Sequence, residues 1–453
     1  MKKHLSTSST LVLLMLLSGT MLQAQSLQSA PRLVVNIAID QLRSDYIEQF
    51  APLYGQDGFR RLFEQGMVFD QGSYSFSPVD RSSAIASIST GTTPYYNNIS
   101  GNAWLDRDKN MRKVASVDDI KFLTSANRLA TSTIGDEMKM ATKGSSLVYG
   151  IAEERDAAVL SAGHAANGAF WLDKYKDKWT TSFYYPNAAV KWINSYNNVY
   201  SAKSNMLNDA LSALAVECVK SNVLGMDEAT DYLAVTLSAK QRETKSMEQV
   251  YVGLDRSLGS MISSIENKVG KNNVLFVLTG TGYYDEAEQI DYSKYNIPTG
   301  SFYINRTANL LNMYLGAIYG QGQYVDACFG NQIYLNRSLI EKRNISLSDI
   351  RSRSRDFLVQ NSGVTAVHDS PYNPSVSGDL IIEVTPGWKL INETSGEQYI
   401  SRLSAVAFPI IFYGAHVKAQ RVETPAMVER IAATIAKTIH IRAPNACKAL
   451  PLY

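Results

Sequence analysis

The stretch Leu33-Val-Val-Asn-Ile-Ala-Ile-Asp40 is an almost unbroken apolar run that ends in an acid. Such a run, rich in β-branched residues, predicts a strand that is buried on both faces of a parallel sheet. Runs of the same kind recur at Asp231–Leu237, Asn273–Leu278 and Pro409–Tyr413, and helical patterns occupy Gly58–Gln65, Met206–Val223, Met247–Lys268 and Met427–Ile439. This alternation predicts an α/β fold with a mostly parallel sheet and helices on both faces.

Two regions interrupt the alternation. Residues from about 104 to 203 are rich in Tyr, Trp, Asn and Lys, and we predict a surface elaboration there. Residues from about 283 to 403 contain a helical pattern of their own at Thr307–Tyr319, together with short strand patterns, and we predict an inserted α+β lobe. The expected organisation is one large domain over residues 31–453.

The N-terminus has the three parts of a secretory signal. Met1–His4 is cationic, Leu11–Leu17 is apolar, and Gln23–Gln25 offers a small residue for cleavage after Ala24. We therefore predict a cleaved signal peptide over residues 1–24 and export to a periplasm or the cell exterior. The later sequence contains no apolar run long enough for a transmembrane helix.

Composition excludes several classes of protein. The chain has 453 residues, 45% of them hydrophobic and 19% charged, which is typical of a packed globular protein. Its net charge of +2 favours neither nucleic acid nor an acidic membrane surface as a partner. The three cysteines, Cys218, Cys328 and Cys447, allow at most one disulfide and have no zinc-cluster spacing.

Asp40 ends the first predicted strand, where ligands gather in open parallel sheets. The segment Ser77-Pro-Val-Asp-Arg-Ser-Ser-Ala-Ile-Ala-Ser-Ile-Ser-Thr-Gly-Thr-Thr-Pro94 follows, and then Gly101-Asn-Ala-Trp104. Together these motifs resemble the alkaline phosphatase superfamily, most closely the secreted monomeric alkaline phosphatases with a threonine nucleophile, which are related to nucleotide pyrophosphatase/phosphodiesterases. Further matching segments are Ala162–Trp171, Lys178–Tyr185, Ile297–Phe302, Tyr319–Gln323, Gln332–Asn336 and Ile411–Gly414. The resemblance implies an alkaline-phosphatase-like three-layer sandwich over nearly the whole mature chain.

The same resemblance implies a chemistry. In that family two zinc ions, held by carboxylates and imidazoles, activate a hydroxyl nucleophile and neutralise the leaving oxygen. Asp40 matches the first carboxylate ligand, and Asn102 matches the amide that contacts a phosphoryl oxygen of the substrate.

The other matched positions carry different residue types. The nucleophile position is Arg81, which cannot attack phosphorus and whose fixed charge repels a metal ion. The matched metal-ligand positions are Gln241, Lys245, Thr281, Gly282 and Ala407, and the two matched phosphate-binding cations are Glu154 and Asp156. We therefore expect no catalytic residue and no zinc, with Asp40 as the single retained ligand position.

The replacements are complementary in charge. Asp40, Arg81, Lys245, Glu154 and Asp156 carry a net charge of −1. We hypothesise that Arg81 and Lys245 form salt bridges with Asp40, Glu154 or Asp156 and so take over the structural role of the metals.

The sequence supports two hypotheses about function. The first is an exported, catalytically degenerate pseudophosphatase that binds an envelope protein or glycan. The alternative is an active zinc-dependent phosphomonoesterase or phosphodiesterase with rearranged ligands, which would need Asp40 and the acidic run 285–288. Ser82 and Ser83 could replace the nucleophile only with a neighbouring base or metal, and for His164 an internal hydrogen bond is the expected role. Motifs of other hydrolases, such as Gly-x-Ser-x-Gly or His-Glu-x-x-His, do not occur.

Overall fold

The first predicted strand forms over Leu33–Asp40, and all eight of its residues are buried. The computed structural model describes residues 29–120, 123–200, 207–241, 245–285, 294, 296–385, 387–399 and 403–453. The predicted signal peptide lies outside the described residues. Residues Pro31–Tyr453 form one compact unit.

The strands of the described residues are, in chain order, β1 (Leu33–Asp40), β2 (Met67–Ser73), β3 (Ala103–Asp106), β4 (Arg112–Ala115), β5 (Asp118–Ile120), β6 (Leu123–Ser125), β7 (Val148–Ala152), β8 (Gly168–Asp173), β9 (Lys178–Thr180), β10 (Asp231–Ser238), β11 (Val274–Gly280), β12 (Tyr283–Asp285), β13 (Gly300–Tyr303), β14 (Val325–Phe329), β15 (Gln332–Leu335), β16 (Val364–Asp369), β17 (Leu380–Val384), β18 (Trp388–Ile391), β19 (Gln398–Tyr399), β20 (Leu403–Ala405), β21 (Phe408–Gly414), β22 (Gln420–Val422) and β23 (Ala426–Met427).

The α-helices of the same residues are α1 (Ser44–Phe50), α2 (Phe59–Gln65), α3 (Arg81–Thr90), α4 (Pro94–Asn97), α5 (Ile134–Ala141), α6 (Arg155–Ala162), α7 (Asn187–Val199), α8 (Leu207–Ser221), α9 (Met247–Val269), α10 (Ile304–Tyr319), α11 (Arg337–Lys342), α12 (Leu347–Leu358) and α13 (Arg430–Thr438). None of the described helices is both long and apolar enough to cross a membrane.

The central sheet has the strand order β22-β2-β21-β11-β1-β10-β7-β8-β9, with β23 beside β2. Strand β1 lies in the middle and is parallel to both β10 and β11. The register places Asp40 opposite Ser238 and Ile39 opposite Gly280, so the carboxyl ends of these three strands meet at one edge of the sheet. The predicted α/β class with a mostly parallel sheet is confirmed.

Strand β21 is antiparallel to both of its neighbours, β11 and β2. The apolar run Pro409–Tyr413 had indicated only another buried strand, because a run buried on both faces has the same pattern in either direction. The direction of β21 depends on the side of the sheet from which the chain enters this strand, and the residues of the strand itself do not specify it.

Part of the region 104–203, which we predicted to be a surface elaboration, belongs to the central sheet. Strands β7 and β8 lie within this region and belong to the central sheet, where β7 pairs with β10 and β8 pairs with β7. All five residues of β7, Val-Tyr-Gly-Ile-Ala, are buried. The prediction was based on the average composition of the region, which is polar, and a strand of five residues is too short to change that average.

The segment between β12 and β20 forms its own sheets and core. Strands β14, β15, β17 and β16 make one sheet, and β13, β18 and β19 make another. Helix α10 packs over them through Leu311 and Leu315, with Ile333 and Ile382 among the fully buried partners. We call this segment the lobe.

Candidate functional site

The carboxyl ends of β1 and β10 and the first turns of α3 and α6 surround a polar pocket of about 390 Å³. Parallel strands end at this edge of the sheet, and two helices begin there, which is the usual place for a ligand site in an open α/β fold. The described residues that line it are Asp40, Gln41, Asp80, Arg81, Asn102, Glu153, Glu154, Ala157, Lys174, Thr236, Leu237, Ser238, Lys240, Gln241 and Tyr283.

Asp80 fixes the start of α3 and therefore the position of Arg81. The Asp80 carboxylate accepts a hydrogen bond from the Ser83 amide at 2.9 Å, and the Asp80 amide donates to Ser83 Oγ at 2.9 Å, which completes a capping box. The second carboxylate oxygen of Asp80 accepts from the Asn102 amide at 2.7 Å. Burial raises the pKa of Asp80, and these hydrogen bonds oppose the shift. Our sequence analysis did not single out Asp80, although an Asp three residues before a Ser at the start of a helix is a detectable signal.

Arg81 is the first residue of α3, and its side chain is paired with Asp156 of α6. The Nε and Nη2 atoms of Arg81 each donate to one carboxylate oxygen of Asp156 at 3.1 Å. The two side chains are only 21% and 15% exposed. Burial disfavours the charge of Arg81, but the charge and hydrogen bonds of Asp156 outweigh this and raise the pKa of Arg81. The guanidinium is therefore fixed and charged at the point where the resemblance places a nucleophile.

Ser82 lies behind this ion pair and is fully buried. Its Oγ atom lies 2.7 Å from Asp156 Oδ2, 2.7 Å from Asn102 Oδ1 and 3.1 Å from Ser116 Oγ. The hydroxyl is thus held in an internal network and does not face the pocket as a nucleophile would. Asn102 shares this network, so its side chain helps to shape the pocket wall.

Asp40 is 7% exposed and receives a hydrogen bond from Thr281 Oγ1 at 3.1 Å. Thr281 Oγ1 in turn accepts from the Gln41 amide at 3.0 Å. Burial raises the pKa of Asp40, while the positive charge of Arg81 and the hydrogen bonds to the carboxylate oppose that rise. Thr281 therefore supplies a hydroxyl donor beside Asp40, where the resemblance would require a metal ligand.

The other two residues of the hypothesised salt-bridge cluster, Glu154 and Lys245, are not part of this pairing. Glu154 lines the pocket, but it accepts from Lys174 Nζ at 2.5 Å. Lys174 also lies 3.4 Å from Glu153. Lys245 is not among the described residues of the pocket lining; it lines a neighbouring cavity with Asn208 and Gln249. The structure thus brings Asp40, Arg81 and Asp156 together, whereas Glu154 has a different cation and Lys245 occupies a different cavity.

The zinc ions that the resemblance implies do not fit these residues. Among the described residues, no group of three or more His, Cys, Asp or Glu side chains is placed to hold a metal. Thr281 and Gln241 provide a hydroxyl and an amide at the matched ligand positions, and zinc prefers imidazole, thiolate and carboxylate. The acidic run 285–288 of the alternative hypothesis has residues 286–288 outside the described residues.

His164 forms an internal pair with Asp136 of α5. Its Nδ1 lies 2.9 Å from Asp136 Oδ2, and its Nε2 lies 3.0 Å from the Leu129 carbonyl oxygen. Asp136 also accepts from the Ala165 amide at 2.8 Å and closes a capping box with Thr133. The bond to Asp136 raises the pKa of His164 above 6.5, although burial opposes the rise. Burial would raise the pKa of Asp136, but its hydrogen bonds, first of all that with His164, lower it below 3.8.

This pair is expected to make stability depend on pH. The contribution of His164 is complete below about pH 6.5 and is lost as pH rises through its raised pKa. The contribution of Asp136 is present above about pH 3.8 and is lost as pH falls through its lowered pKa. The variant His164→Gln, which keeps the Asp136 cap, is therefore expected to flatten the fall in unfolding free energy above pH 6.5, as measured by urea denaturation from pH 5 to 9. A slope identical to that of the wild type would contradict this assignment.

The three cysteines are free thiols in the structure, and Cys218 is buried.

Comparison with known proteins agrees with the fold. A family model described as type I phosphodiesterase / nucleotide pyrophosphatase matches residues 34–404. The chain is 24% identical to alkaline phosphatase PafA of Elizabethkingia meningoseptica, with 95% of this chain and 96% of that protein covered. It is 23% identical to alkaline phosphatase PhoV of Synechococcus elongatus, with 92% of this chain and 91% of that protein covered.

The structural likeness has the same extent. A crystal structure of a PafA variant with four substitutions superposes with a TM-score of 0.79 at 23% identity, and it covers 94% of this chain and 98% of that chain. The sequence match over residues 34–404 includes Asp40, Arg81, Asn102 and Asp156, so the pocket lies within the matched region. The chain belongs to the type I phosphodiesterase/nucleotide pyrophosphatase family of the alkaline phosphatase superfamily.

Proposed function

We propose that this chain is a non-catalytic member of its family, exported to the cell envelope, where it acts as a binding or scaffold component. The observation that carries the proposal is the paired hydrogen bonding of Arg81 to Asp156 at the first turn of α3. A hydroxyl nucleophile is needed at that point for phosphoryl transfer by the family mechanism. A guanidinium held by two hydrogen bonds has no lone pair to offer.

The charge of the pocket supports the proposal. Asp156 and the described lining together contain five acids and three bases, so the net charge is −2 when all are ionised. The negative charge of the pocket would repel a phosphate dianion and so oppose its binding. A neutral polar group, such as a glycan hydroxyl or a peptide amide, meets no such opposition and finds hydrogen-bonding side chains in Asn102, Gln41 and Gln241.

The proposal is tested with purified protein that lacks residues 1–24. We expect far less than one equivalent of bound zinc, and hydrolysis of p-nitrophenyl phosphate and bis-p-nitrophenyl phosphate at the rate of the buffer alone, with or without added zinc. PafA assayed in parallel serves as the positive control. Stoichiometric zinc, or turnover that a chelator abolishes, would instead support the alternative of an active phosphoesterase with rearranged ligands.

The binding role has its own test. Asn102 lines the pocket and is exposed. Asn267 on helix α9 is also exposed but is not part of the described pocket lining. We expect Asn102→Trp to narrow the pocket and to abolish capture of an envelope protein or glycan that the wild type retains. The matched control Asn267→Trp should leave that capture unchanged. Equal capture by both variants would show that the pocket is not the contact.

A further inference from the structure

A second group of charged side chains lies on the lobe, where Arg107 of the β3–β4 turn reaches it, and away from the pocket lining. Four guanidinium groups, those of Arg107, Arg337, Arg351 and Arg355, surround the carboxylates of Asp369 and Asp379. We call these six residues the lobe arginine cluster.

Asp379 is fully satisfied within this cluster. Its side chain is 0% exposed and accepts from Arg107 Nη2 at 2.6 Å, from Arg337 Nη2 at 2.5 Å and from the Leu335 amide at 2.8 Å. Four hydrogen bonds occupy a carboxylate's usual acceptor capacity, and Arg337 Nε supplies the fourth at 3.0 Å. Asp379 therefore has no capacity left for another donor.

Arg351 lies next to Asp379, and its two ion pairs with described residues are both long. Its Nη2 lies 4.0 Å from Asp379 Oδ1, and its Nη1 lies 3.8 Å from Asp369 Oδ2. Both separations exceed a hydrogen bond. The Nε atom of Arg351 is buried and has no acceptor within the part of the chain that the structure describes. A guanidinium has five donors and strongly prefers to use them.

The charge of the cluster is also unbalanced. Four guanidinium groups face two carboxylates, which leaves a net charge of +2 among these residues. Asp326 lies within the electrostatic reach of Arg107 and reduces the excess to +1 when it is ionised. The side chains of Arg351, Arg337 and Arg355 are 23%, 33% and 34% exposed, so solutes can reach them.

We propose that the lobe arginine cluster binds a tetrahedral oxyanion, the phosphate or sulfate group of a small molecule, with Arg351 as its principal donor. The forked guanidinium matches two oxygens of such a group, and charge-assisted bonds of this kind are the strong ones. Asp369 is the carboxylate that competes for Arg351. Asp369 is 43% exposed, lies at the end of β16 and also accepts from Arg355 Nη1 at 2.5 Å, whereas Asp379 is fully buried.

Isothermal titration calorimetry tests the proposal. The chain without residues 1–24 is titrated with potassium phosphate and, separately, with potassium sulfate, and chloride keeps the ionic strength constant. We expect saturable binding with a dissociation constant of about 1–10 mM. Arg351→Gln should weaken it about tenfold or more, since one charge-assisted bond is lost. Comparison of the two salts, and then of glucose 6-phosphate with glucose 6-sulfate, separates the two sources of the oxyanion.

The matched control is Arg353→Gln. Arg353 lies on the same helix, is 44% exposed and pairs with Asp349, so the charge change is equal but lies outside the cluster. It should change the dissociation constant less than about twofold. A second variant, Asp369→Asn, removes the competing carboxylate and should tighten binding severalfold. Equal weakening by Arg351→Gln and Arg353→Gln, or no saturation of the wild type up to roughly 50 mM, would overturn the proposal.

Discussion

Replacing Asp379 with asparagine is expected to lower the free energy of unfolding by about 3–5 kcal/mol. The Asp379 side chain has no exposed surface and holds Arg107, Arg337 and the Leu335 amide. The substitution removes the charge that balances two guanidinium groups and turns one acceptor oxygen into a donor that faces other donors. Urea denaturation, followed by circular dichroism at neutral pH, measures the loss.

The consequence extends beyond the lobe, because Arg107 belongs to the turn between β3 and β4. Its guanidinium also donates to the carbonyl oxygens of Pro374 and Leu335, and it lies 5.0 Å from the ring centre of Tyr334. Asp379→Asn is therefore expected to increase hydrogen exchange in the β3–β4 hairpin as well as in β17. The control Asp349→Asn changes a half-exposed carboxylate that pairs with Arg353 and accepts from the Tyr319 hydroxyl, and it should cost far less than Asp379→Asn. Equal effects of the two substitutions would contradict the structural role of Asp379.

The substitution Asp156→Asn is expected to have the second largest effect, a loss of about 2–4 kcal/mol in unfolding free energy. It leaves the guanidinium of Arg81, which is 21% exposed, without the carboxylate that binds it through two hydrogen bonds. It also disturbs Ser82, whose hydroxyl lies 2.7 Å from Asp156.

A double-mutant cycle isolates the pair. If the charge pair is the cause, the combination of Arg81→Gln with Asp156→Asn should be less destabilising than the sum of the single changes, by about 1–3 kcal/mol. Glu64→Gln, at an exposed position on α2, is a control for loss of one negative charge. Strict additivity of Arg81→Gln and Asp156→Asn would mean that the two residues act separately. Loss of stability from Glu64→Gln as great as that from Asp156→Asn would point to net charge as the cause.

Much of the site followed from local sequence. The strand before Asp40 is a continuous apolar run, which placed Asp40 at the carboxyl end of a buried parallel strand. The helix start before Arg81 also has a capping signal in Asp80 and Ser83, but it was recognised only in the structure. The resemblance gave the register, and with it the residue types at the matched positions. These features are local because hydrogen bonds in a capping box, and the burial of a strand, involve residues that are neighbours in sequence.

The pairing of basic with acidic side chains at the site could not be predicted from local sequence. Arg81 and Lys245 were equal candidates for Asp40, Glu154 and Asp156, since charge alone does not rank partners. The packing of α3 against α6 brings Arg81 to Asp156, the turn after β8 brings Lys174 to Glu154, and Lys245 faces another cavity.

The amino-acid sequence by itself determined the α/β class and the edge of the sheet at which Asp40 lies, because both depend on residue type and short-range periodicity; the expectation that Arg81 replaces a nucleophile came from the family resemblance. Only the tertiary structure decided the antiparallel direction of β21, the place of β7 within the sheet, and the meeting of Arg107, Arg351 and Asp379. These depend on contacts between residues tens to hundreds of positions apart, which are fixed by how the whole chain packs and have no counterpart in any local pattern.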